Sequence, residues 1–194
     1  MDERDKRRIG EQIEPGGRPK APGRLELLQR FINSHNHDLP PDWDRLGTAE
    51  KAQSWLRQKR LVTPADRISE ADGARLRELR EAIRALVMAN HGGEPDAAAM
   101  DVIRRNAAPL TVAIDRTGRT ALVPAVGGVD GAVAALLGIL HEAQLDGDWS
   151  RMKGCRQCEY AFFDRSKNRS ASWCAMSICG NRTKNRAYYR RRRA

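Results

Sequence analysis

The sequence predicts a mainly α-helical protein with one small β-hairpin, an α+β fold. Three observations predict this class. Apolar residues recur mostly at helical spacing, one pair of short apolar runs flanks a glycine-containing turn, and all four cysteines lie between residues 155 and 179. We therefore expect a disordered segment over 1–22, a helical N-terminal domain over 23–149 and a small C-terminal metal-binding module over 150–194.

The N-terminal segment is charged and ends in a stretch rich in proline and glycine, which predicts disorder. A first helix is expected from Arg24, and the residues 33–41 that follow it are expected to form a loop. The apolar residues of this helix recur at helical spacing: Leu25, Leu28, Phe31 and Ile32.

A second helix is expected to begin after Thr48, whose hydroxyl can cap its first turn, and to end before Pro64. Its inward residues are expected to be core rather than the wall of a ligand pocket: Ala52, Trp55 and Leu56.

The longest predicted helix follows Ser69, which forms a box-type N-terminal cap with Asp72. Gly92 and Gly93 are expected to end it, as glycine does just beyond helix termini. Five residues form its apolar stripe: Leu76, Leu79, Ile83, Leu86 and Val87.

The rest of the N-terminal domain is predicted to hold two helices and the hairpin. A short helix is expected over 96–106, and a longer one over 129–145. Between them, 110–115 and 120–125 read as strands joined by a turn that contains Gly118. Four apolar residues of the longer helix are expected to face the core: Val133, Leu136, Leu137 and Leu140.

The cysteines occur as Cys155-x2-Cys158-x15-Cys174-x4-Cys179, two close pairs separated by a loop. This spacing is typical of a four-thiolate zinc site, with a redox pair or an iron–sulfur site as the alternatives. Four thiolate ligands leave no position for a catalytic water, so we expect a structural Zn²⁺ rather than an enzyme's metal.

The spacing also predicts the local structure of this module. Cys155 and Cys158 are expected on a tight turn with backbone amides directed at sulfur, followed by a strand over 159–163. Trp173 is expected to shield the metal, and Asn181 to cap a final helix. Two aromatic residues of the strand are expected on one face: Tyr160 and Phe162.

The positive charge of the chain is confined to this module. Residues 151–194 hold 13 of the 35 lysines and arginines but only 2 of the 25 acidic residues, which leaves 22 basic and 23 acidic residues in 1–150. Such a local excess attracts phosphate backbones, and duplex DNA and RNA both remain open as the partner. The expected contacts are Arg169, Arg182, Lys184, Arg186 and Arg190.

Other motifs carry no recognisable chemistry. His141 lacks the second histidine that a metalloprotease helix needs, and His35 and His37 lie in a polar loop with no catalytic partner in sequence. The glycines at 127, 128 and 131 match no phosphate-binding loop and are read as a strand-to-helix turn.

The segment 155–193 resembles the CGNR zinc finger. It carries the tetrapeptide Cys179-Gly180-Asn181-Arg182, the sequence Trp173-Cys174-x-Met176, the element Phe163-Asp164-x-Ser166, and Lys184. The preceding region resembles the ABATE domain that is joined to this finger in bacterial proteins. It matches in residues 27–33, the Trp55-Leu56 helix and the helix containing Leu76, Leu79, Arg80 and Ile83.

The chain departs from the family pattern at two places. Ser170-Ala171-Ser172 replaces the arginines that relatives tend to carry before Trp173, and Gln29 lies in the region where relatives carry an acidic residue.

The resemblance implies a zinc-dependent, DNA-binding transcription regulator of a stress-linked family, in which the finger contacts DNA and the N-terminal domain is a sensor or oligomerisation unit. Two alternatives stay open: an RNA-binding or ribosome-associated factor, and a small-molecule-binding protein with an incidental basic tail. We expect a homodimer, because one finger contacts little DNA, and a possible small-molecule effector. The charged N-terminus and the lack of a long apolar run predict a cytoplasmic protein without a membrane span.

Overall fold

A computed structural model describes residues 20–193, so most of the segment predicted to be disordered lies outside the described residues. No helix in this range is long and apolar enough to cross a membrane. The elements in chain order are α1 (Leu25–Ile32), α2 (Ala49–Gln58), α3 (Glu70–Ala89), α4 (Ala97–Arg105), β1 (Leu110–Ile114), β2 (Thr120–Pro124), α5 (Gly128–Leu145), β3 (Met152–Gly154), β4 (Ala161–Phe163) and α6 (Asn181–Arg193).

The predicted caps of α2 and α3 are confirmed. Thr48 Oγ1 accepts a hydrogen bond from the Lys51 amide, and Ser69 and Asp72 satisfy each other's backbone N–H groups in a capping box. Both caps lie before apolar stripes that need a fixed orientation, because the stripes must face α1 and the centre of the domain.

The core of the N-terminal domain lies around α1, which packs against both α3 and α5, while α2 packs against α3. The antiparallel β1–β2 pair, with Leu110 opposite Pro124, covers one side of α5. The side chains at the centre of this core are fully buried: Leu28, Phe31, Ile32, Leu56, Leu76, Leu79, Ile83 and Leu136.

A second antiparallel pair, β3–β4, joins the cysteine module to this core. The sequence predicted the second strand but not β3, whose residue Met152 lies opposite Phe163. Met152, Ala161 and Phe163 belong to the same apolar cluster as the helices, and β3 packs on α3. A methyl group on Gly154 would overlap the side chain of Met88, so the hairpin approaches α3 as closely as a glycine allows.

Two arginines of α3 are buried against the same junction. Arg80 forms a bidentate ion pair with Asp44, with Nη1–Oδ1 and Nη2–Oδ2 distances of 2.6 and 2.8 Å. Arg84 donates to three carbonyl oxygens, of Ile32 at 2.6 Å, His35 at 2.8 Å and Glu159 at 3.0 Å. Through Arg84, α3 thus holds both the loop after α1 and the end of the turn that carries the first two cysteines.

Candidate metal centre

The first cysteine pair lies on a tight turn after β3, as predicted. Glu159 donates its amide to the Cys155 carbonyl at 2.8 Å and adopts a left-handed backbone with φ of 58°. The amides of Gln157 and Cys174 donate to the Cys155 sulfur, and the amide of Tyr160 donates to the Cys158 sulfur. The prediction that the strand starts at Glu159 is wrong, because its left-handed residue turns the chain and β4 begins at Ala161.

The strand β4 separates two apolar clusters. Tyr160 and Phe162 pack with the four cysteines, whereas Ala161 and Phe163 belong to the core of the N-terminal domain. The predicted shared face of the two aromatic residues is therefore confirmed, and it is the face that covers the sulfur atoms.

The second cysteine pair is held by a π-helical turn over Met176–Gly180, in which the amides of Cys179 and Gly180 both donate to the Ala175 carbonyl. A Cβ on Gly180 would lie 2.5 Å from Met176 Sδ and 3.2 Å from Trp173 Cδ1, so a larger residue there would force the Met176 side chain to move. Asn181 is not the predicted cap. Its φ and ψ of −65° and −40° are helical, because α6 continues directly from the π turn.

The sulfur atoms of Cys158, Cys174 and Cys179 form a nearly equilateral triangle, with distances of 3.7 Å for 158–174, 3.6 Å for 174–179 and 3.6 Å for 179–158. All four cysteines are buried and lie within metal-binding distance of one another. A tetrahedron with Zn–S bonds of about 2.3 Å has sulfur–sulfur edges of about 3.8 Å. The four thiols therefore fit a tetrahedral metal such as zinc.

The pKa values of the thiols show that a metal ion and protons compete for the sulfur atoms. Hydrogen bonds from Cys158 and Cys174 lower the pKa of Cys155, so its proton is lost first. The hydrogen bond with Cys155 in turn raises the pKa of Cys158 to about 12, and contacts with Cys155 and Cys158 raise the pKa of Cys174. Burial raises the pKa of Cys179. Without a metal the cluster thus keeps several protons, which a bound cation displaces.

The loop between the cysteine pairs is organised by the buried carboxylate of Asp164. Its Oδ1 accepts from the Ser166 amide at 2.8 Å, and its Oδ2 accepts from the Ala171 amide at 2.9 Å. These bonds bring Ala171 and Trp173 onto the cysteine cluster, as expected for Trp173. Ala171 is partly buried there, where it packs against the cysteine cluster.

The predicted nucleic-acid contacts lie on two parts of the module. Arg182 pairs with Asp38 of the loop after α1 at 2.9 Å, Arg186 donates to Gln157 Oε1 at 3.3 Å, and Lys184 is exposed. Arg169 lies instead in the loop between the cysteine pairs, where it donates to Ser150 Oγ at 2.9 Å. The side chain of Arg190 lies outside the described residues.

Sequence reasoning missed the residues that join the module to the N-terminal domain. Asn33 bonds both backbone groups of Ala161, and Gln29 Nε2 donates to the same carbonyl at 3.3 Å. Asn90 Nδ2 donates to the carbonyls of Trp149 and Met152, and His91 Nε2 lies 2.6 Å from the Gly154 carbonyl. The sequence feature that could have indicated these residues is a polar side chain at or just beyond the end of an apolar helical stripe. Such a side chain is buried on folding and needs a hydrogen-bond partner.

Comparison with known families gives two matches. Residues 25–146 match the family ABATE, described as "Putative stress-induced transcription regulator", and residues 151–192 match the CGNR zinc finger. The comparison with curated proteins found none that matches the chain.

Proposed function

The chain belongs to the ABATE family and ends in a CGNR zinc finger, and from this premise we propose that it is a zinc-dependent, DNA-binding transcription regulator. The observation that carries the proposal is the direct continuity between the last cysteine and the basic helix. Cys179 lies in the π turn from which α6 starts, so the metal fixes the first turn of that helix.

The start of α6 exposes positive charge beside the metal centre. Arg182, Lys184 and Arg186 are exposed, and the Thr183 hydroxyl donates to the Cys179 carbonyl at 3.0 Å. The helix has no apolar stripe to bury, which leaves its polar faces for a charged partner. A helix of this charge suits the major groove or the phosphate backbone of duplex DNA.

One contact supports a regulatory role for the N-terminal domain. Asp38 occupies the guanidinium of Arg182, which is a proposed phosphate contact. A phosphate that takes the place of Asp38 must break this ion pair, which costs little because both side chains are exposed to water. This contact supports a role for the N-terminal domain in sensing or modulating binding, and we assign that domain the sensor or oligomerisation role.

The test is selection from random duplex DNA with zinc-loaded full-length protein, with the Cys174→Ser variant in parallel. We expect an enriched motif for the wild-type protein and none for the variant, because loss of one thiolate releases the metal that fixes α6. A palindromic motif would indicate that two copies bind together.

Binding to single-stranded RNA at the same salt concentration is the matched control for partner class. A preference for that RNA over the selected duplex would replace DNA with RNA as the partner. Equal enrichment by the Cys174→Ser protein would show that the finger is not the reading element.

A further inference from the structure

A second group of metal-binding side chains lies where the loop after α1 meets α3 and the cysteine module. His35 and His37 come from the loop, and Glu81 comes from α3. Each offers one ligand atom, and these atoms all lie within 4.8 Å of one another. None of the three belongs to the four-cysteine cluster, so the group is a separate feature of the fold.

His37 lies between two carboxylates. Its Nδ1 is 2.8 Å from Glu159 Oε2, and its Nε2 is 3.2 Å from Glu81 Oε2. A neutral imidazole has one N–H group, so if Nδ1 donates to Glu159, the lone pair of Nε2 faces the Glu81 carboxylate. Two acceptors at this distance require a cation between them, either a proton or a metal ion.

The distances suit a metal. Ligands at about 2.0–2.1 Å from a tetrahedral zinc lie about 3.3 Å apart, close to the separation of His37 Nε2 and Glu81 Oε2. His35 Nε2 is buried and has no hydrogen-bond partner among residues 20–193.

The carboxylate of Glu159 is positioned to accept the ring N–H of His37 that would not face a metal. Histidine ligands usually donate their second ring N–H to a carboxylate, which fixes the tautomer and orients the ring. Glu159 is itself fixed, because its carbonyl accepts from Arg84 and it follows Cys158 in the turn.

The neighbouring arginines do not make the site positive. Arg80 and Arg84 both contact Glu81, but the carboxylates of Asp44, Glu81 and Glu159 outnumber them by three to two. Arg80 and Arg84 also fix the loop that carries the histidines. Arg80 donates to Ser34 Oγ at 3.1 Å, and Arg84 donates to the His35 carbonyl at 2.8 Å. The ligands are thereby held in place before any ion binds.

We propose that His35, His37 and Glu81 form a second metal site, for a divalent ion of the class that prefers imidazole, such as zinc. Three protein ligands leave a fourth position for water or an external ligand, unlike the closed four-cysteine site. The bound ion joins the loop after α1 to α3 and, through Glu159, to the turn of Cys155 and Cys158. The site does not depend on DNA binding.

The test is a zinc titration of full-length protein that already holds one equivalent in its cysteine site. We expect a second equivalent to bind in the wild-type protein and in His141→Ala, a control on α5 far from the cluster in sequence. The double variant His35→Ala/His37→Ala should bind only the first. Its fold should survive, because His35 Nε2 has no partner among the described residues to lose and His37 is exposed.

Cobalt added to the zinc-loaded protein gives an independent measurement. We expect visible d–d absorption without the thiolate charge-transfer band that cobalt in the cysteine site produces. Glu159→Ala should weaken the second site about 10–100-fold without abolishing it, as loss of an outer-shell partner does. Saturation at one metal per chain, or a second equivalent retained by the double variant, would overturn the proposal.

Discussion

The side chain of Asn33 forms hydrogen bonds with both backbone groups of Ala161. Its Nδ2 donates to the Ala161 carbonyl at 2.8 Å, and its Oδ1 accepts from the Ala161 amide at 2.8 Å. The amide side chain acts as the partner that a neighbouring strand would otherwise supply to β4. The end of α1 is thereby joined to the hairpin of the zinc finger, 128 residues away in sequence.

Replacing Asn33 with alanine should destabilise the protein by about 1–3 kcal/mol, because it leaves the buried backbone groups of Ala161 without this partner. The measurement is the free energy of unfolding in denaturant. Asn168→Ala is the control, since Asn168 is exposed in the finger's loop, and its effect should stay within about 0.5 kcal/mol. Equal effects of the two substitutions would contradict the assigned role of Asn33.

Replacing Asp44 with alanine should destabilise the protein by about 3–5 kcal/mol, because Arg80 would remain as a buried charge without its bidentate partner. The side chains of Arg80 and Asp44 are only 3% and 10% exposed, so water screens their interaction little. The control is Asp42→Ala, which removes an exposed carboxylate from the same segment.

Asp44 also predicts part of the acid sensitivity. Burial alone would raise its pKa, but hydrogen bonds from Arg80 and the Leu46 amide outweigh burial and lower it. Its contribution to stability is thus present above the unfolded pKa of about 3.9 and is lost as the pH falls through the folded value. We expect the slope of unfolding free energy against pH below about pH 4 to be smaller in Asp44→Asn than in the wild-type protein.

Zinc binding to the cysteine cluster should release about three protons per ion at neutral pH. The lowered pKa of Cys155 leaves that residue already ionised, whereas the raised pKa values of Cys158, Cys174 and Cys179 keep those three protonated. Calorimetry in buffers of different ionisation enthalpy measures the number. A release of four protons would show that the metal-free cysteines behave as independent thiols.

Loss of Lys184 and Arg186 should weaken DNA binding across all sequences and make it less salt-dependent. If each contacts one phosphate, the slope of log affinity against log salt should fall by about 2 in the double alanine variant. Arg116→Ala/Arg119→Ala removes the same charge from the exposed β1–β2 turn and serves as the control. An equal loss in both proteins would mean that only net charge matters.

Much of the helical domain follows from local signals in the sequence. Thr48 and Ser69 start their helices because their hydroxyls satisfy free amides, and the stripe of Leu76, Leu79 and Ile83 fixes the buried face of α3. The cysteine spacing likewise predicts the site, since two close pairs need only a connecting loop to meet.

The junction between domain and finger could not be predicted in the same way. The strand β3 is three residues long, too short for an alternating pattern, and it exists because β4 pairs with it and α3 covers it. Arginine is usually found on protein surfaces. Arg84 is nevertheless only 2% exposed, because three carbonyl oxygens from two distant segments accept hydrogen bonds from its guanidinium group. Such partners become visible only once the chain is folded.

The two-faced strand β4 has a consequence for protein engineering. Its aromatic face covers the sulfur atoms, but Ala161 and Phe163 fill a core whose other walls belong to helices far upstream. A finger excised at residue 151 and grafted onto another protein would present this second face, with Met152, to solvent. It would therefore be prone to aggregate even when loaded with zinc, so the transferable unit is the finger together with its helical support.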